Sequence, residues 1–209
     1  IAAAWRELAA AFAYVRTEPA LLAALSVAFL INLTAYPFTM GLLPYVAKVV
    51  YGAGQTGLGY LSAGFAFGSL VGSLAVSATR VAVRAARVMV ASMVLWLAAL
   101  LAFAHAPNLA AAIVLLGLAG FLQSLCVTPL AVVMLRIAHA DIRGRVMGLR
   151  MFAIYGLPIG LMASGPVIES VGFLATVTLY AVTGLLATAA LTWRWHAAVW
   201  RASAPANIG

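Results

Sequence analysis

Six runs of predominantly apolar residues, each bounded by charged or turn-forming side chains, decide what this chain can become. They cover residues 20–42, 58–79, 88–104, 109–135, 146–168 and 171–193. A helix crosses the hydrocarbon of a bilayer in roughly 20 such residues at about 1.5 Å rise each, so the runs predict six transmembrane helices. Only 8% of the 209 residues are charged and the mean hydropathy is +1.12, which excludes a soluble globule. The expected class is an all-α membrane protein. Its bundle occupies residues 19–195, preceded by an amphipathic segment at 1–18 and followed by a tail at 196–209. In the first segment Trp5, Leu8, Phe12 and Val15 recur at helical spacing, as in a helix lying on the membrane surface.

Orientation follows from the positive residues, which short loops retain on the cytoplasmic side. Twelve Lys and Arg face four Asp and Glu, a formal charge of +8. With six crossings, the two termini and alternate loops share one side. That side holds every arginine, including Arg80, Arg84, Arg87, Arg143, Arg145 and Arg150, while the other holds Lys48 alone. Both termini are therefore expected in the cytoplasm. The basic excess marks topology and points to no nucleic-acid partner.

Glu7, Glu18, Asp141 and Glu169 are the whole supply of acids, so chemistry built on paired carboxylates has almost nothing to draw on. A lone cysteine, Cys126, allows neither an internal disulfide nor a cysteine zinc site. His105, His139 and His196 are too far apart for a His-x-x-x-His metal pair. The chain is expected to be no enzyme and to hold no metal or cofactor. None of the six runs carries an ionisable residue away from its ends, so nothing in them is available to couple to protons.

Gly64-Phe-Ala-Phe-Gly68 and Gly156-Leu-Pro-Ile-Gly160 share G-x-x-x-G, and 156 − 64 and 160 − 68 both equal 92. Shifting the first three runs by that offset lands them roughly on the last three. Three crossings per repeat is an odd number, which gives the two copies opposite orientation, a 3+3 inverted repeat of the kind found in secondary transporters. Gly64, Gly68 and Gly72 line one helix face, and Gly156, Gly160 and Ser164 another. Such small-residue stripes let helix backbones approach closely.

The order of these features, with Tyr51-Gly-Ala-Gly-Gln-Thr-Gly-Leu-Gly59 opening the second run and Asp141-Ile-Arg-Gly-Arg-Val-Met-Gly-Leu149 entering the fifth, resembles the C-terminal half of a major facilitator superfamily transporter. Within the superfamily it is most similar to the bacterial efflux branch that includes the enterobactin exporter. The resemblance implies helices seven to twelve of a twelve-helix fold in a bacterial inner membrane, and a missing N-terminal six-helix half as partner. The 77–84 loop departs from the family pattern by keeping Arg80 and Arg84 without an accompanying Asp. The implied function is secondary active efflux of a small amphiphilic molecule by alternating access. The alternative is a non-transporting membrane scaffold or sensor on the same fold, which would have an occluded apolar interior.

The resemblance also implies that the first and fourth spans line the substrate path. Asn32, Tyr36 and Thr39 share one face of the first span, and Gln123, Cys126 and Thr128 lie together in the fourth. These six are the expected cavity residues. Arg80, Arg84, Arg143 and Arg145 are expected to hold topology or form a cytoplasmic gate, with Asp141 capping the fifth helix or pairing with Arg143 or Arg145. Gly64, Gly68, Gly72, Gly156 and Gly160 are expected to face the missing half. Pro37, Pro129 and Pro158 are expected to kink their helices.

Overall fold

A computed structural model describes residues 13–78, 85–138 and 143–195, and every regular element among them is helical. Most of the amphipathic segment, the tail, Arg80, Arg84 and Asp141 lie outside the described residues. The helices are α1 (Pro19–Thr34), α2 (Gly54–Ala78), α3 (Ala85–Ala104), α4 (Leu109–Ile137), α5 (Arg143–Ala153) and α6 (Gly156–Arg194). Four helical stretches are long and apolar enough to cross a membrane: α2, α3, α4 and the run from Arg143 to Arg194. Large apolar side chains stand on the outside, Phe67 at 69% and Met162 at 79% exposure, while Trp96, Phe38 and Phe103 fill the interior. That inside-out surface suits lipid as its solvent, and the chain is an all-α membrane protein.

Many serine and threonine hydroxyls in these helices are satisfied locally. Ser26 donates to the Leu22 carbonyl at 2.8 Å, Thr34 to Leu30 at 2.8 Å and Thr188 to Gly184 at 2.7 Å. Each bonds one turn back along its own helix, so serine and threonine sit in apolar spans without needing water.

Two of the three expected proline kinks coincide with breaks. Pro37 has no N–H to give to the carbonyl one turn back; α1 ends at Thr34, and the chain continues over 37–50 in two wide turns, closed by Leu42 N–H to Pro37 O and Tyr51 N–H to Val46 O, on either side of a single α-helical turn at Leu43–Tyr45. The first expected span is thus divided, which leaves α1 alone short for a crossing. Before Pro158 the helix tightens, with Ile154 and Tyr155 donating only three residues back, and this separates α5 from α6. Pro129 lies inside α4 without interrupting it.

The longest helix, α6, is two arms. At Gly172 the backbone takes φ 83° and ψ 167°, a region open to glycine alone. The chain doubles back there, and the Tyr180 hydroxyl reaches the Gly160 carbonyl at 2.7 Å. Contacts then define two ends of the bundle. Tyr51 donates to the Ala106 carbonyl at 3.1 Å, and Tyr45 stacks on Phe173 with centroids 6.0 Å apart. Val15, Arg16, Leu149 and Leu191 line a common groove at the opposite end.

The glycine stripes are used inside the chain, which corrects the expectation that they face a second half. A Cβ on Gly64 would meet Ile113, one on Gly68 the Gly117 carbonyl, and one on Gly72 the Phe121 carbonyl, so α2 lies directly against α4. Gly156 is held against the Phe29 carbonyl and Gly160 against that of Leu33, so the first arm of α6 lies on α1. In both seams the contact numbers rise together along the two helices, so each pair runs parallel. Lipid supplies no hydrophobic drive between helices, and close backbone approach replaces it.

Candidate functional site

Where α1, α4 and α5 come together they leave an open cavity of about 430 Å³, within the range of roughly 300–1,000 Å³ usual for small-molecule sites. Its walls are apolar, among them Ile31, Val127, Leu130 and Leu157, and its polar side chains are Asn32, Tyr36 and Arg150. The wide turns that follow Pro37 place Met40 at the rim, more than half exposed.

Tyr36 is fixed from two sides. Gln123 Nε2 donates to its hydroxyl at 3.0 Å, and the single Ser69 hydroxyl proton is shared between Gln123 Oε1 at 3.0 Å and the Phe65 carbonyl at 2.9 Å, so a chain of polar contacts joins α2, α4 and the 36 position. Trp96 of α3 meets the Tyr36 ring edge to face, with centroids 5.4 Å apart. A side chain gripped this way keeps its position when a ligand arrives, and its hydroxyl, already accepting from Gln123, has its own proton left to donate. Asn32 Nδ2 donates to the Ala28 carbonyl at 2.9 Å, which sets the orientation of its amide.

The six expected cavity residues therefore divide. Asn32 and Tyr36 line the cavity. Gln123 stands behind Tyr36 and ties helices together while positioning that hydroxyl. Thr39 is 2% exposed and bonds back to the Tyr36 carbonyl at 3.5 Å. Cys126 is fully buried in the core, and Thr128 is exposed outside the cavity lining. Arg143 and Arg145 are exposed; Arg143 Nε donates to the Ala138 carbonyl at 3.2 Å, closing the C-terminal end of α4, where a cation is favoured.

Arg150 is the residue that sequence reasoning missed. It lies inside the fifth apolar run, and counting it as a loop charge led to spans without interior cations; the structure sets it in the cavity wall, half-buried. The signal was its spacing, since Val146, Leu149 and Ala153 are buried on the same short helix. Gly117 and Gly120 of α4, which belong to neither glycine stripe, complete the seam with α2 from the other side. Among the described residues no group of three His, Cys, Asp or Glu could hold a metal ion.

These observations define a multi-pass, all-helical membrane protein with an apolar-walled cavity, carrying Asn32, Tyr36 and Arg150, that opens among its helices. Set beside family models, curated proteins and solved structures, the chain finds no match in any of the three.

Proposed function

We propose that this chain is one six-crossing half of a transporter of the major facilitator type, moving a small amphiphilic solute by alternating access. The observation that carries the reading is the pair of glycine seams. The second crossing lies parallel on the fourth, and the fifth lies parallel on the first, which is the relation an inverted 3+3 repeat generates. The cavity sits between the same elements, where such repeats place substrate. An open cavity with a braced tyrosine, an asparagine and an arginine favours transport over a scaffold with an occluded interior.

In this reading the 19–50 stretch makes the first crossing, and Gly172 separates the fifth from the sixth. The arginine-bearing end faces the cytoplasm of a bacterial inner membrane. A second six-helix unit covers the apolar faces left exposed and closes the other wall of the cavity. The test is efflux of a preloaded amphiphilic dye from cells making the chain with that facing unit. Asn32→Ala combined with Gln123→Ala is expected to slow efflux about tenfold or more, since two oriented hydrogen bonds are lost. Efflux that survives both substitutions defeats the proposed role of this cavity.

Topology is tested separately. In a Cys126→Ala background, a cysteine at Lys48 should react with a membrane-impermeant maleimide on intact spheroplasts, and one at Arg145 only after permeabilisation. The reverse pattern, or labelling of both from outside, rejects the orientation.

A further inference from the structure

We infer that the cavity between α1, α4 and α5 binds the anionic head of an amphiphile, with Arg150 and the Tyr36 hydroxyl as its donors and the aliphatic wall holding the apolar body. The inference deepens the reading of this cavity as a substrate site and rests on it. The hydrogen-bond inventory carries it. A guanidinium has five N–H donors and no acceptor. The Tyr36 oxygen already accepts from Gln123, which leaves that hydroxyl its proton to give. The Asn32 amide nitrogen is committed to Ala28 through one of its two hydrogens.

No acid balances the cation from within the described residues, where the only carboxylates are Glu18 and Glu169 and neither is paired with Arg150. A half-buried charge beside Ile31, Val127 and Leu130 is expensive to leave without a counter-ion. The complement of such a site is a carboxylate, sulfonate or phosphate on an apolar body. A cationic amphiphile would be repelled, and a neutral one would leave the guanidinium unsatisfied. Two sources share the required chemistry: a soluble amphiphilic anion, and a net-anionic membrane phospholipid whose phosphate, unbalanced by a choline, reaches the cavity.

The experiment uses the full chain in phosphatidylcholine nanodiscs, with empty-disc signal subtracted. Two fluorescent probes share one ring system, the anion 8-anilinonaphthalene-1-sulfonate and its uncharged parent N-phenyl-1-naphthylamine. Arg150→Gln is expected to weaken sulfonate binding about tenfold or more while changing the neutral probe less than about twofold, and Arg150→Lys should keep most of the anion affinity. Tyr36→Phe, which keeps the ring and its contact with Trp96, should weaken the sulfonate roughly threefold. It provides the answer even where Arg150→Gln fails to fold. Exchanging phosphatidylcholine for phosphatidylglycerol separates the sources. A loss of sulfonate binding in wild type that exceeds the loss in Arg150→Gln identifies a net-anionic lipid headgroup as occupant, and equal losses identify a soluble anion.

The inference is overturned if the two probes are weakened equally by Arg150→Gln, or if sulfonate binding is unchanged, as it would be were Asp141 already neutralising the arginine. Dye efflux is measured independently. Charge-selective binding without efflux defeats the transport reading and leaves the anion site standing.

Discussion

Gly68→Leu is expected to destabilise the folded chain by about 3 kcal/mol, the upper part of the usual range for overpacking a tight interior. The φ of Gly68 is helical, so its backbone would accept any residue; the obstacle is the Gly117 carbonyl of α4, into which a Cβ at this position would be driven. A carbonyl oxygen is part of the neighbouring backbone and has no rotamer to escape into. Gly64 and Gly72 are similarly blocked by the carbonyls of Ile113 and Phe121, so α2 cannot slide to relieve one contact without tightening another. Gly68→Ala should cost less, about 1–2 kcal/mol, because a methyl group asks for a smaller displacement. Gly59→Ala on the same helix is the control. A Cβ there meets nothing within 4 Å, and the change should be neutral or stabilising by up to about 1 kcal/mol. Unfolding in dodecyl maltoside with increasing SDS, followed by circular dichroism, measures all three. Equal stability of Gly68→Leu and Gly59→Ala would show that α2 and α4 do not touch along this seam.

The glycine seams also show how much was legible in the sequence. Periodicity disclosed the stripes because a helix repeats its faces every three to four residues, and the need for close packing in lipid gave them a meaning. What a stripe packs against is a long-range property, and no local pattern distinguishes a partner within the chain from one outside it. Helix boundaries were readable wherever charge or glycine bounds an apolar run, as at Gly54–Ala78 and Leu109–Ile137. They failed where a proline changes the hydrogen-bond register. Pro37 converts the end of the first span into wide turns, whereas Pro129 leaves α4 whole, because the surrounding packing decides how a missing donor is absorbed.

In the cavity, residue type proved a poorer guide than environment. Asn32, Tyr36 and Cys126 were singled out together as polar or polarizable groups in apolar spans. Yet Cys126 is packed wholly into the core, while Tyr36 is held at the cavity by Gln123 and Trp96. By sequence Arg150 is one more arginine near a loop, which reads as topology. A long side chain lets a residue belong to a loop by sequence and to a cavity by geometry, and only the position of α5 against α1 and α4 reveals which applies.

At Gly172 the same kind of substitution should act through a different physical cause. A Cβ at this position meets nothing within 4 Å, but the backbone stands at φ 83° and ψ 167°, where side-chain-bearing residues are strained by about 1–3 kcal/mol. Gly172→Ala and Gly172→Leu are therefore expected to destabilise the chain by a similar amount, about 2 kcal/mol each. At Gly68, by contrast, the cost should climb with side-chain size. The strain falls on the turn that folds one arm of α6 back on the other. There Phe173 packs against Phe38 and Tyr45, and the Tyr180 hydroxyl holds the Gly160 carbonyl at 2.7 Å. If the turn yields, the arms lose that bond, and Tyr180→Phe should add little further destabilisation to Gly172→Leu although it costs about 1 kcal/mol alone. Gly165→Ala, in a helical arm with open space around it, should be harmless. A steep dependence on side-chain size at Gly172, or full additivity with Tyr180→Phe, would mean that crowding rather than backbone conformation requires glycine at this turn.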